Sequence, residues 1–174
     1  SDWFYDDANI GTKIKSPIEF LVGINTVVPY TFIKTKQIYL IQRLLGQILI
    51  KPPNVAGWKT GRNWIDSNTI VTRLRLASVL LNNAEITYSE KGDEEAILTD
   101  FSENKLRRKT FIKVTTNWNA FNKNYKQHNN TTLINQIITS KINTGAKELL
   151  AKNTHLSKKD FVIQLMSLPE YQLC

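Results

Sequence analysis

One cysteine (Cys174), one methionine (Met166) and two histidines (His128 and His155) are all the thiol, thioether and imidazole chemistry in the 174 residues. A lone thiol at the last position excludes an internal disulfide framework and leaves the redox compartment open. The Cys/His supply is too small for the usual structural zinc site, so neither metal nor cofactor is expected. No apolar run approaches the ~18–20 residues that span a bilayer. The opening Ser1-Asp-Trp-Phe-Tyr-Asp-Asp7 is acidic and aromatic, the opposite of a basic n-region followed by an apolar core, so it does not read as a signal peptide. A start without Met is consistent with a mature form or an excised piece. Phosphate-binding and nucleophile-elbow motifs are missing too, so catalytic residues stay unknown at this level.

What is present is ordinary for a globular chain: 41% hydrophobic and 22% charged residues, with length enough to bury a core. The net charge of +8 invites a nucleic-acid reading. The basic residues are dispersed, however, and Lys, Asn and Ile are abundant together as in an AT-rich genome, so nucleic acid is the third-ranked partner. Only Arg107-Arg108-Lys109 forms a basic run.

The periodicity predicts a mainly α, bundle-like chain, with room for a short β hairpin or strand near residues 84–116. Three stretches are expected within a single domain or fragment: a helical core over 1–82, an acidic and mixed segment over 83–128, and C-terminal helices over 129–174. Ser16-Pro-Ile-Glu19 reads as a capping box with Pro at the first helical position, opening a helix that runs to about Val28 with Phe20, Ile24 and Val27 on one face. A second helix from Thr35 carries Ile38, Ile41, Leu45 and Ile48; Gly46 falls in its middle, suggesting close approach of another backbone, and Pro52-Pro53 ends it. Arg43 and Gln47 lie on its polar side. Asp66-Ser67-Asn68 offers caps for a third helix with Ile70, Leu74, Ala77 and Leu81 inward. If Arg73 is buried it needs a carboxylate, and Glu19 and Asp66 are the candidates by type.

Between Ala84 and Glu103 seven acidic residues (Glu85, Glu90, Asp93, Glu94, Glu95, Asp100, Glu103) face one basic residue, Lys91, which reads as a surface excursion turning near Gly92. Lys109 to Thr116 is β-branched and strand-like. The Asn-rich run that follows holds Trp118, Phe121 and Tyr125, aromatics expected to face inward. Thr131 or Thr132 can cap a helix ended by Gly145, Ala146–Lys152 forms another, and Ser157 with Asp160 opens a last helix with Phe161, Leu165 and Leu168 inward.

Lys51-Pro-Pro-Asn-Val-Ala-Gly-Trp-Lys-Thr-Gly-Arg-Asn-Trp64 is the most informative stretch. Trp58 and Trp64 flank a polar turn holding Lys59, Arg62 and Asn63. Either the indoles pin the loop to the helices, or they form a stacking platform for a sugar or base with Arg62 and Asn63 as hydrogen-bonding groups. The pin is favoured, because aromatic burial is the default source of stability in such a loop. Asp6, Asp7 and Asn9 ahead of Gly11 suggest calcium, but the glycine offset does not match an EF-hand and a turn role is preferred.

Phe4 through Gly11, Lys15-Ser-Pro-Ile-Glu-Phe20, Leu45-Gly-Gln47, Pro52-Pro-Asn-Val-Ala-Gly-Trp58, Trp64-Ile-Asp-Ser67, Arg73 with Arg75, and Leu168-Pro-Glu-Tyr-Gln172 resemble the C-terminal part of the bacterial family called domain of unknown function 1800. The form is similar to members from Bacteroidetes. The resemblance implies a largely helical, exported protein (periplasmic, cell-surface or secreted) whose full-length members carry an upstream helical half and are commonly encoded beside a sulfatase-like family. The first expectation is therefore a non-catalytic binding or scaffolding portion. Its partners would be the N-terminal half of the same parent, a sulfatase-like neighbour or polysaccharide. The alternative is half of an enzyme site, for example polysaccharide-processing, completed by the missing N-terminal half, with Asp6, Asp7, Glu19, Arg62, Asp66 and Arg73 on this side.

Overall fold

The computed structural model describes residue 6 and residues 9–89 and 107–174, so Asp7 and most of the acidic excursion lie outside the described residues. Within them the chain is mainly helical with two small antiparallel strand pairs. The order is α1 (Pro17–Val27), β1 (Tyr30–Phe32), α2 (Thr35–Leu45), a 3-10 turn (Gly61–Trp64), α3 (Ser67–Leu81), β2 (Glu85–Ser89), β3 (Arg107–Phe111), β4 (Val114–Thr116), α4 (Trp118–Asn124), α5 (Asn130–Ile137), α6 (Thr144–Lys152), α7 (Lys158–Met166) and a C-terminal 3-10 turn (Pro169–Gln172).

α1 starts as its sequence predicts. The Ser16 hydroxyl accepts from the Glu19 N–H, the Glu19 carboxylate accepts from the Ser16 N–H, and Pro17 takes the first helical position. Phe20, Leu21, Ile24 and Val27 are buried along one side. α2 is shorter than its apolar pattern suggests. It stops at Leu45 because Gly46 adopts φ 87° and closes the helix as a left-handed cap. Gly46 therefore does not accommodate a neighbouring backbone: a Cβ built there meets nothing within 4 Å. Gln47 is outside the helix, where its side-chain carbonyl accepts from the Ile18 N–H at the open end of α1. Pro52 and Pro53 shape the loop that follows rather than ending the helix.

α3 is capped reciprocally by Asp66 and Thr69. Its buried face runs through Thr69, Arg73, Leu76 and Leu80, while Ile70 and Leu74 stay partly exposed. In its first half the face is one residue, about 100°, away from the expected Ile70 and Leu74, while the expected Ala77 and Leu81 are buried. Towards its C-terminus Leu76, Ala77, Val79, Leu80 and Leu81 are all buried. That part of the helix is surrounded, and an apolar pattern on a surrounded helix does not select an orientation.

β1 pairs with β4 from Tyr30 opposite Thr116 to Phe32 opposite Val114, and β2 pairs with β3 from Glu85 opposite Phe111 to Ser89 opposite Arg107. The strand-like stretch 109–116 is therefore split between two sheets. The exposed Phe111 next to the fully buried Ile112 marks the switch. Gln37 of α2 holds this corner, donating to the Phe111 carbonyl at 2.7 Å and accepting from the Lys113 N–H at 3.2 Å. In the C-terminal half Phe121 is buried and Trp118 and Tyr125 are half-buried. α5 is capped by Asn129 with Thr132 as its reciprocal partner, so neither threonine is the cap. α5 ends at Ile137, well before Gly145, which lies in the first turn of α6. Ser157 caps α7, whose Phe161 and Leu165 are buried, as is Leu168 just beyond it. α7 packs between α3 and α5.

The two ends of the chain meet. Ile14 and Leu173 form an isolated antiparallel bridge, with Lys13 and Cys174 exchanging backbone hydrogen bonds and the Lys15 N–H donating to the Gln172 carbonyl. Near this seam Gly11, at φ 73°, lies so close to Ser140 that a Cβ would sit 2.4 Å from the Ser140 Cβ. Gly11→Ala combines a left-handed alanine with a clash against backbone and should destabilise by about 3 kcal/mol. Gly46→Ala faces open space and should cost only about 1–2 kcal/mol, the left-handed penalty alone. Urea unfolding of the two variants checks this ordering.

Candidate functional site

The α2–α3 connection separates its residues sharply. Trp64 is 6% exposed, and its carbonyl accepts from the Thr69 hydroxyl at 3.0 Å, so this indole pins the end of the loop to the start of α3. Trp58 is half-buried, and its indole N–H is enclosed without a hydrogen-bond partner. Lys59, Arg62 and Asn63 are exposed. Between Gln47 and Trp58 the loop turns back through Asn54, whose carbonyl and side chain accept from the N–H groups of Gly57 and Ala56 respectively.

The exposed apolar side chains of the loop itself are aliphatic, with Tyr39 of α2 adding an aromatic ring beside them. Val55 stands fully exposed at the turn, Ile50 is 95% exposed, and Leu49 and Tyr39 are each about half exposed. Ile50 also adopts φ 65°, a left-handed conformation that β-branched residues rarely occupy. Beside it an open groove of about 530 Å³ is lined by Ile38, Tyr39, Gln42, Ile48, Leu49 and Ile50. Gln42, itself buried, accepts from the Leu49 N–H at 2.9 Å. Lys51, Lys59 and Arg62 give the connection its charge.

The second group of predicted residues is used differently. Glu19, on α1, pairs with Lys13 at 2.6 Å as well as closing the capping box. Lys13 and the Ser16 N–H hold its carboxyl below the usual carboxylate range. Asp66 caps α3. The Asp6 carbonyl accepts from the Asn9 N–H, a turn ahead of Gly11.

Arg73 is fully buried on α3, and neither predicted carboxylate reaches it. One terminal nitrogen, Nη1, donates to the Lys15 carbonyl at 3.0 Å and to the Gln172 side-chain oxygen at 3.3 Å, and the guanidinium faces the Phe20 ring at 5.8 Å. Burial lowers its pKa to about 10, still a cation at neutral pH. Lys15 completes the cluster: its ammonium donates to the Tyr171 carbonyl at 2.7 Å and lies 4.0 Å from the Tyr171 ring centre. Desolvation lowers the Lys15 pKa and raises that of Tyr171. Lys15, Tyr171 and Gln172 lie in strings that carry the family resemblance, but nothing local marks them as partners of Arg73, because they meet it only through the pairing of the chain ends.

Among the described residues no group of three or more His, Cys, Asp or Glu side chains could hold a metal ion, and no helix is long and apolar enough to cross a membrane. These elements define a mainly helical domain whose buried polar groups join its ends and whose accessible loop is aliphatic and basic. A family model described as protein of unknown function, DUF1800, matches residues 1–173, and the chain belongs to that family. No curated protein and no solved structure matches it.

Two tests follow from this geometry. Trp64→Ala should lose about 3–5 kcal/mol in denaturant unfolding, whereas Lys59→Ala and Arg62→Ala should stay within about 0.5 kcal/mol. Because the Glu19 carboxyl is held below its unfolded value, its contribution is present above the ordinary carboxylate pKa and is lost as pH falls through that range. Melting temperature measured against pH should fall less steeply on the acid side for Glu19→Gln than for the natural chain.

Proposed function

We propose that this domain is a non-catalytic binding or scaffolding portion of an exported protein, and that the α2–α3 connection is its docking face. The partner is an apolar surface with an acidic rim on the N-terminal half of the same parent protein. The observation that carries the reading is Ile50, held 95% exposed at φ 65° in the same loop as the fully exposed Val55. The strained, exposed Ile50 and the exposed Val55 gain nothing for the isolated fold, whereas covering them removes apolar surface from water. The positive charges of Lys51, Lys59 and Arg62 favour an acidic rim. Export and an upstream half are supported by the family resemblance.

The aliphatic Leu49, Ile50 and Val55 favour protein over polysaccharide, since sugar rings stack on exposed aromatic faces and the loop's tryptophans are buried or half-buried. Hydrogen exchange on the complete gene product tests the proposal. The amides of Ile50, Asn54 and Val55 should exchange slowly there and rapidly in the 174-residue chain, and the Ile50→Asp/Val55→Asp double variant should abolish the difference. The same double variant of the isolated chain should unfold within about 0.5 kcal/mol of the natural one. Equally rapid exchange in both natural forms would overturn the reading, as would protection produced only by a glycan or a sulfatase-like protein.

A further inference from the structure

α5 packs on α7, whereas α5 and α6 meet along much less of their length. Between them lies a half-open pocket of about 320 Å³ that shares no residue with the α2–α3 connection. Its most enclosed lining is Phe161 of α7 and Leu150 of α6, 0% and 2% exposed, and Ile134, Ile142 and Ala151 add aliphatic surface. The polar lining residues Thr131, Asn135, Lys147 and Thr154 are all exposed, so they stand towards solvent.

The spacing of α5 and α6 is set at both ends by hydrogen bonds. The Asn130 side chain donates to the Thr154 carbonyl at 3.0 Å, joining the start of α5 to the turn after α6. At the other end the Ser140 hydroxyl donates to the Glu170 carbonyl and the Asn143 N–H to the Glu170 carboxylate, which fixes the α5–α6 connection to the C-terminal turn. The pocket is therefore preformed, and an apolar interior with a few polar groups is the usual make-up of a small-molecule site. A dry apolar cavity of about 150 Å³ holds one benzene ring, so this one suits a bicyclic ring or a chain of about eight carbons.

Charge defines the other end of the ligand. Lys147 is the one charged residue in the lining, and its ammonium makes no hydrogen bond or ion pair with a described residue. α5 contains no charged residue, Asp160 at the start of α7 is engaged by Ser157, and Glu148 of α6 is exposed outside the lining. Thr131 and Asn135, one turn apart on α5, offer a hydroxyl and an amide at the same pocket. None of the strongly exposed apolar residues lines it, so it lacks the apolar surround of a protein-docking patch. We propose that the α5–α6 pocket binds a small amphiphilic monocarboxylate, with the apolar body against Phe161, Leu150 and Ile134 and the carboxylate at Lys147.

Octanoate is the probe, with 1-octanol as its neutral counterpart, and the methyl resonances of Ile134, Ile142 and Leu150 in the 174-residue chain are followed during titration. Saturable shifts are expected with octanoate, and about three- to tenfold weaker binding with octanol. Lys147→Met should weaken octanoate by about the same factor and leave octanol unchanged, a split that lost packing would not produce. Ala151→Trp, at an exposed lining position, should plug the pocket and remove binding of both probes. Should that variant fail to fold, Asn135→Trp plugs it from α5. Absence of saturable shifts with octanoate would overturn the proposal, as would shifts that survive the plug or equal affinity for the two probes. The same methyl shifts appearing in the complete gene product without any probe would assign the pocket to the parent's own chain and overturn it too.

Discussion

A single buried cation determines how this chain closes. Arg73 projects from α3 into the seam between residues 13–15 and the C-terminal 3-10 turn, and its donors bind one group from each side. Tyr171 packs edge-on against Phe20 while its carbonyl takes the Lys15 ammonium. Glu170 reaches the other way, its carbonyl accepting from Ser140 and its carboxylate from the Asn143 N–H. The last turn of the chain thus ties residues 13–15, α3 and the α5–α6 connection together with directional bonds, and packs against α1 through Phe20. Such bonds specify one arrangement where apolar contacts would tolerate several.

The arrangement of α1, α2 and α3 depends on similarly small polar devices. Gly46 ends α2 early, which frees Gln47 to cap α1 and lets Gln42 hold the backbone at Leu49. Trp64 then anchors the return into α3. With both ends of the connection fixed, the residues between them are held away from the core, which is why aliphatic side chains remain in water there. The loop's rigidity at its ends and its exposed middle are two sides of one geometry.

Local signals were read well wherever the chemistry is local. The Ser16-to-Glu19 capping box, the Asp66 and Ser157 caps and the inward faces of α1 and α7 could be placed because each depends on residues within a turn or two. The split of residues 109–116 between two sheets was not legible, since it depends on Gln37 and on which strands come alongside. Trp64 as a pin was the favoured reading, and the exposed role of Ile50 and Val55 was missed. An aliphatic run after a helix looks like more helix until the left-handed glycine is seen.

By itself the sequence determined a mainly helical chain, the N-terminal caps of α1, α3 and α7, and its membership of a family. It could also say that a buried Arg73 would need an acceptor. Only the tertiary structure decided which face of α3 is buried, that the acceptors are the Lys15 carbonyl and the Gln172 amide, and that an entire guanidinium edge is left over. The physical reason is sequence distance. Capping energies act over three or four residues and are written in the local string. The partners of Arg73 lie 58 and 99 residues away, and they meet it only once the helices have packed and the two chain ends have paired.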